Sequence, residues 1–492
     1  MFKKMSRHFL NNALFQQNLP LADTKYGANR MQPPEMLHVS DAGLIIYMME
    51  SLQGRIGSGE SRLELDRKHV DMLAAIRRQS ERDFPRGAAR SGLIDTTRCQ
   101  SSERKGNFFI MMCIAHTAAG ELTLKHELNL SDAHWLKWKR FLKLYLGMEA
   151  WFHDSIDKEE VIQARPAIAS VLDNLKLYFP RQDNSNGYNI PKMHGLAKMQ
   201  DYVCLYGSAM NFYGGPGEAS RKQFVKAPGL KTQRRMCEFA SQTAGQYYNF
   251  MSIEKARNEI IGQALLQHEE LKDDGDVDGL KCYNVQGKYS VTFSGNNWEN
   301  VTVRFKNKKK KGFEINEGLE RVLRRMCTKN KDRDNENECS YVAYTRASVI
   351  GEDGETVHYN AHPQFHGEAW YDWSLVFFRI ENDNGDAEED EYYPSRILGY
   401  ITVNSDVHAV VQCATEPLDW SFVQEQFIVS CRLCTDLDVS FQIVPMTALN
   451  DPLCVVPDYG GKNENDYLII LPKRYWGHYF TRFINSCGRN IK

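Results

Sequence analysis

Apolar residues recur at helical spacing through the first half of the chain. Pro34 suits the first position of a helix, and the periodic positions after it are Leu44, Ile45, Met48, Met49 and Leu52. Ser131 is a favourable N-cap for a second, longer helix. The buried face of that helix is predicted to contain Trp135, Trp138, Phe141, Leu142, Tyr145, Leu146 and Trp151. The same spacing returns between Val161 and Tyr178, so we predict that residues 1–267 are mostly helical.

The second half of the chain has a different pattern. Residues 268–300 are acidic, glycine-rich and then polar, which is typical of a linker. Short alternating runs separated by turn residues follow, and these indicate β-strands: Val301–Phe305, Ser374–Ile380, Arg396–Val403 and Tyr467–Leu471. One helix is predicted between Asn316 and Cys327. The fold class is therefore α+β, with a helical part (1–267), a linker (268–300) and a β-rich, barrel-like C-terminal domain (301–492).

Composition places this chain among ordinary globular proteins. Its 492 residues suffice for two or three domains, and a net charge of −2 argues neither for nor against nucleic acid. The 12 cysteines are scattered, which predicts free thiols in a reducing intracellular compartment. We expect no membrane partner, because no run approaches the roughly 18 apolar residues of a membrane span.

A glycine-rich turn followed by a basic segment carries the strongest chemical signal. The turn, Gly207–Gly217, ends at Glu218. The cations that follow are Arg221, Lys222, Lys226, Lys231, Arg234 and Arg235. A carboxylate beside a basic run suits a metal ion acting on a phosphodiester, since the acid holds the ion and the cations hold the strand. The alternative is a helix N-terminus with a favourably placed Glu and a solvated basic face.

The order of several motifs resembles CACTA-like (Plavaka-type) eukaryotic DDE DNA transposases. Their last catalytic block has a Gly/Pro turn bearing the final Glu, as at Glu218, and a basic helix after it. Pro191–His194 is similar to the Pro-Lys-x-His entry to that block. Glu35 to His38 is similar to the family's acidic-x-x-His signature. The resemblance implies part of an RNase H-like core with a helical insertion, Glu35 and Glu218 as catalytic and metal-binding candidates, and His38 and His194 as motif histidines.

The chemistry implied by the resemblance is incomplete in this sequence. DDE transposases use two divalent ions about 3.5–4 Å apart, held by three carboxylates. Asp23 is the sole carboxylate before Glu35, and no strand pattern surrounds it, so the first acid is expected to be missing. Glu35 also replaces the usual Asp. We therefore expect Glu35 and Glu218 to be vestigial, and Mg²⁺ or Mn²⁺ to be needed only if the site is active.

A separate resemblance covers the C-terminal third. The segments Trp370–Trp373, Tyr393–Leu398, Val455–Asp458 and Leu471–Trp476 are similar to the tail domain of such transposase-encoded proteins. The resemblance implies a small barrel of the kind found in bromo-adjacent-homology or Tudor-like readers.

The function that we expect from the sequence is DNA binding by a transposon-derived nuclear protein without competent DNA cleavage or strand transfer. Two alternatives stay open: an active metal-dependent DDE transposase, and a chromatin or protein-interaction module built on the β domain. A homo-oligomer, a chromatin partner and an upstream exon carrying the first Asp also stay open.

Overall fold

The computed structural model describes most of the chain from Pro34 to Arg489. The described residues are 34, 36–78, 84–85, 87–88, 92–95, 99–154, 158–181, 187–214, 230, 238–269, 283–294, 299–305, 314–330, 338–350, 356–365, 368–381, 388–418, 426–436 and 440–489.

Helices form the first part of the chain. A π-helix, Leu37–Leu44, leads directly into α1. The α-helices that follow are α1 (Ile45–Arg55), α2 (Glu60–Arg78), α3 (Ser101–His116), α4 (Ala118–Glu127), α5 (Asp132–His153), α6 (Lys158–Gln163), α7 (Arg165–Tyr178), α8 (Pro191–Ala197), α9 (Met199–Tyr206) and α10 (Phe239–Glu269). A 3₁₀ turn, Ala209–Phe212, follows α9.

The helical predictions agree with these elements. Helix α5 begins directly after Ser131, and its apolar face is buried at all seven positions that the spacing predicted. Trp135 and Trp138 stack with ring centroids 5.2 Å apart, and Trp138 stacks in turn on Phe179. Because α3 and α5 are buried along most of their length, packing rather than helix propensity holds them in place.

Strands dominate the second part. They are β1 (Tyr283–Gln286), β2 (Tyr289–Ser294), β3 (Asn300–Phe305), β4 (Glu338–Tyr344), β5 (Arg346–Ile350), β6 (Thr356–Phe365), β7 (Glu368–Tyr371), β8 (Trp373–Glu381), β9 (Glu388–Val403), β10 (Asp406–Cys413), β11 (Ile428–Arg432), β12 (Phe441–Pro445), β13 (Leu449–Pro457) and β14 (Asp466–Ile470). Two helices also belong to this part of the chain, α11 (Glu317–Asn330) and α12 (Trp476–Arg489).

The strands form two antiparallel sheets. The smaller sheet has the order β1-β5-β6-β7. The ten-stranded sheet runs β11-β14-β13-β8-β9-β4-β2-β3, with β10 pairing β9 and β12 beside this path. Among the described strands β11 and β3 therefore stand at opposite ends of the main path. The α+β class is confirmed, and the strands begin at Tyr283, inside the range predicted as a linker.

Two neighbouring strands near one end of the large sheet, β13 and β14, are buried on both faces. Cys454 and Val456 of β13 belong to the hydrophobic core of the helices, whereas Leu453 and Val455 belong to a core of the sheet. Strand β14 repeats this division, with Ile470 on the helical side and Ile469 on the sheet side. Successive side chains of a strand point to opposite faces, so β13 and β14 each contribute side chains to both cores.

The C-terminal helix α12 returns to the helical part, although the sequence assigned residues 301–492 to a β-rich domain. Trp476 is fully buried and stacks between Phe109 and Phe427, at centroid distances of 5.1 and 5.0 Å. Its indole Nε1 donates to the carbonyl of Leu471 at 2.8 Å. A Cβ at Gly147 of α5 would lie only 2.9 Å from the carbonyl oxygen of Trp476. Glycine thus permits the close approach of α5 and α12.

Within the described residues, no single helix is long and apolar enough to cross a membrane. The helices α3 and α4, which are bent by 104° relative to each other, together have the length and composition of a span.

We predict that replacing Trp476 with Ala destabilises both parts of the protein together. Loss of a fully buried Trp costs about 3–5 kcal/mol, and the shared core should keep urea unfolding in one transition, followed by fluorescence and circular dichroism. Tyr248→Ala is the control, because this side chain is 72% exposed and its truncation should change the free energy of unfolding by under about 0.5 kcal/mol. A separate transition in which only the β-rich part unfolds would contradict a shared core.

Candidate functional site

Most residues predicted to act on DNA lie outside the described part of the chain. Glu35 and Glu218, the catalytic and metal-binding candidates, both fall there. So do the six cations Arg221, Lys222, Lys226, Lys231, Arg234 and Arg235. Their assignment as a vestigial catalytic pair and a DNA-binding surface stays a prediction.

The two motif histidines are described, and both are exposed. His38 lies on the π-helix. His194 lies on α8, where its Nε2 is 2.7 Å from Oδ1 of Asn189. These surroundings fit surface residues held in position by local contacts.

The segments that carry these histidines pack against each other, although about 150 residues of sequence separate them. A Cβ at Gly195 would lie 3.1 Å from Cβ of Pro34 and 3.3 Å from Cγ2 of Val39. The ammonium group of Lys192 donates to the carbonyl of Ala42 at 2.7 Å. The fold therefore brings together the two segments that carry the motif histidines.

Directly beneath the π-helix lies a buried cluster of charged side chains that the sequence analysis did not predict. Lys105 of α3 bonds Glu149 of α5, with Nζ 2.6 Å from Oε1. Asp41 of the π-helix faces the same carboxylate. Asp41 and Glu149 are 2% and 1% exposed, so bulk water does not solvate these charges.

One proton accounts for the arrangement of the two carboxyl groups. No donor among the described residues reaches Oδ1 of Asp41 or Oε2 of Glu149. Burial, followed by the charge of Glu149, raises the pKa of Asp41 to about 9. Asp41 is thus protonated at neutral pH and donates a hydrogen bond to Glu149.

Lys105 balances the remaining negative charge. Burial disfavours the charged form of Glu149, but the opposing interactions together outweigh burial and lower the pKa of this carboxyl. The charge of Lys105 is the largest of these, followed by the hydrogen bond with Asp41. Burial likewise works against the charged form of Lys105, and its interactions with the carboxyl groups, above all with Glu149, reverse this and raise its pKa. The cluster therefore holds one cation, one anion and one neutral acid.

Two further groups border the cluster. The hydroxyl groups of Ser40 and Tyr145 are hydrogen-bonded at 3.0 Å. Burial, then the charge of Lys105, lowers the pKa of His153 to about 4, so its ring is neutral at pH 7. Neither ring nitrogen of His153 has a hydrogen-bond partner within the described residues.

The cluster does not form a metal site. Across the described residues, no three His, Cys, Asp or Glu side chains are placed to hold a metal ion. Glu35 and Glu218 therefore stay the predicted ligands for Mg²⁺ or Mn²⁺. What the buried cluster can do is hold a proton and join the π-helix, α3 and α5.

A signal for this cluster is present in the sequence. Glu149 falls on the apolar stripe of α5, four residues after Tyr145 and three before Phe152. A carboxylate on a buried stripe needs a partner, which points to a buried cation. Nothing in the sequence, however, indicates that Lys105 and Asp41 are the partners.

Comparisons with known proteins returned no match to any family model, curated protein or solved structure.

We predict that Asp41→Asn changes how stability depends on pH. Between the unfolded pKa near 3.8 and the folded value of about 9, the folded protein binds one proton more than the unfolded chain. Stability from this group therefore falls as pH rises, by up to about 1.4 kcal/mol per pH unit. Asn binds no proton, so the variant should gain stability relative to the wild type between pH 5 and 8.

Urea unfolding at several pH values provides this measurement. Asp173→Asn is the control, because Asp173 is exposed and pairs with Lys176 on the surface. Parallel pH profiles for wild type and Asp41→Asn would show that Asp41 is ionised throughout this range.

We also predict that Lys105 and Glu149 are strongly coupled. Lys105→Met leaves a carboxylate buried without its cation and should cost about 3–5 kcal/mol. Adding Glu149→Met should recover much of this loss, since no buried charge remains. A double-mutant cycle on unfolding free energies measures the coupling, with Lys176 and Asp173 as an exposed pair worth about 0–1 kcal/mol. Additive losses would contradict a direct ion pair.

Proposed function

We propose that this chain is a transposon-derived DNA-binding protein whose site for DNA cleavage and strand transfer is not competent. The observation that supports this most is the packing of the described residues on either side of His38 against the helix that carries His194. These are the segments that resemble two catalytic-block motifs, and the Gly195 contacts and the Lys192 hydrogen bond join them.

DNA is the proposed partner because of the basic segment that follows Glu218. Arg and Lys contact phosphates and position a protein on a duplex without reading its sequence. Six cations between Arg221 and Arg235 provide such contacts, interrupted by Pro228 and Gly229. From this interruption in the sequence we predict two short basic surfaces rather than one helix face.

Loss of cleavage is proposed from the residue at position 35. Glu has one methylene more than Asp, which displaces the carboxylate by about 1.5 Å. Catalytic groups must be held within about 0.5 Å of their productive positions. A Glu at this position therefore disfavours a correctly placed pair of metal ions. The RNase H-like core, the barrel-like C-terminal domain and nuclear localisation belong to the same proposal.

We predict that the purified chain binds duplex DNA but does not cut or join it. If four of the six cations contact phosphates, the salt slope of log K should be about −3.6. Changing Arg221, Lys222, Arg234 and Arg235 to Glu should weaken binding to any duplex and flatten that slope, as measured by electrophoretic shift at two salt concentrations.

Two assays carry the opposing outcomes. Plasmid nicking with Mg²⁺ or Mn²⁺ that Glu218→Gln abolishes would instead establish an active transposase. Histone-peptide binding without DNA binding would favour the chromatin-module alternative.

A further inference from the structure

A basic ridge runs along α5 where this helix meets α12. Its sequence is Lys137-Trp-Lys-Arg-Phe-Leu-Lys143, in which the apolar residues are buried, Lys137 and Arg140 are exposed, and Lys139 and Lys143 are half-buried. We call the four cations Lys137, Lys139, Arg140 and Lys143 the α5 ridge. The sequence analysis did not identify this segment, because its aromatic residues marked it as core.

Aromatic rings of α12 support the ridge. The guanidinium carbon of Arg140 lies 5.4 Å from the ring centroid of Phe483. The ammonium nitrogen of Lys143 lies 5.4 Å from the ring centroid of Tyr479. These rings are partly buried and lie against the charged groups themselves, so cation–π attraction helps to hold Arg140 and Lys143 in position.

The charges of the ridge are poorly balanced. Lys139 pairs with Glu121 at 3.1 Å. For Lys137, Arg140 and Lys143 the described residues provide no carboxylate within 4.0 Å, and Lys143 donates only to the carbonyl of Gln426 at 3.1 Å. Like charges three or four residues apart on a helix repel, and three such pairs occur here.

The pKa of Lys143 reflects this repulsion in part. Burial, followed by the charges of Lys139 and Arg140, lowers the pKa of Lys143 to about 8. A bound polyanion would relieve the repulsion and favour the charged form. The ridge is therefore more favourable with an anion bound than without one.

We infer that the α5 ridge is a second contact for the phosphates of duplex DNA, distinct from the basic segment after Glu218. This inference rests on the proposed function. The rise from Lys137 to Lys143 is about 9 Å at 1.5 Å per residue. One DNA strand presents a phosphate every 3.4 Å of helix axis, so about three phosphates face this span.

The geometry favours a duplex over a lipid surface. An interfacial helix inserts exposed apolar side chains between headgroups, whereas Phe483 and Tyr479 lie beneath cations and are partly buried. On α5 the two exposed cations, Lys137 and Arg140, instead lie three residues apart on neighbouring positions of one helix face.

The test compares two charge reversals in the full chain. Lys137→Glu with Arg140→Glu removes two ridge cations. Lys288→Glu with Arg304→Glu makes the same charge change at exposed positions of the β-rich part. Anisotropy with a fluorescent 30-base-pair duplex should show roughly tenfold weaker binding and a salt slope shallower by about 1.8 for the ridge variant alone.

The outcomes separate this inference from the proposed function. Normal binding by the ridge variant, with loss on reversing Arg221, Lys222, Arg234 and Arg235, overturns the inference and leaves the function intact. Equal loss in the ridge and control variants, or no binding by the wild type, overturns the inference as well. Binding of the ridge to phosphatidylserine vesicles but not to DNA would assign it to a membrane surface instead.

A second measurement needs no substitution. Limited acylation at pH 8, followed by mass spectrometry, reports the accessibility of each lysine amine. Duplex DNA should slow acylation of the exposed Lys137 several-fold and leave Lys288 unchanged. Unaltered acylation of Lys137 at saturating DNA would overturn the inference even if the double variant misfolded.

Discussion

Burial of β13 and β14 on both faces is the constraint on which the rest of the structure depends. Leu453 and Ile469 pack into the sheet, while Cys454 and Ile470 pack into the helices. Such strands cannot be separated from either core without exposing apolar area, at about 25 cal/mol per Å². Helix α12 strengthens the connection, because Trp476 stands between α3 and the start of β11.

The buried cluster adds a polar constraint inside the helical core. The ion pair of Lys105 with Glu149 contributes little net stability where desolvation offsets attraction. It does, however, specify which faces of α3 and α5 meet, since any other alignment leaves a charge buried alone. Asp41 extends this specification to the π-helix, and the exposed His38 projects from the same element.

In our proposal, two kinds of positive surface bind one polyanion, DNA. The segment after Glu218 is recognisable as basic from its sequence. The cations of the α5 ridge alternate with apolar residues, and only the burial of those residues in the folded protein separates the two. Aromatic support at Phe483 and Tyr479 holds Arg140 and Lys143 in place before binding. Preorganised side chains lose less conformational entropy when they bind.

Local patterns in the sequence determined much of the secondary structure. The periodic apolar positions after Ser131 predicted α5, and the short apolar run at Tyr467–Leu471 predicted β14. Helix α11 was also anticipated near its position. These predictions worked because the periods of 3.6 and 2 belong to single segments of chain. The α+β class follows from them.

Only the tertiary structure decided which segments share a core and which charges meet. The continuous apolar run of β14 is equally consistent with one buried face or two, so the sequence did not reveal that it joins the helices to the sheet. Helix α12 lay unrecognised within a range assigned to strands, and its partner α5 is more than 300 residues away in sequence. Asp41, Lys105 and Glu149 likewise come from three separate segments. A charged residue on an apolar stripe indicates from sequence that a partner is needed, but only the packing of the folded chain determines which residue is that partner.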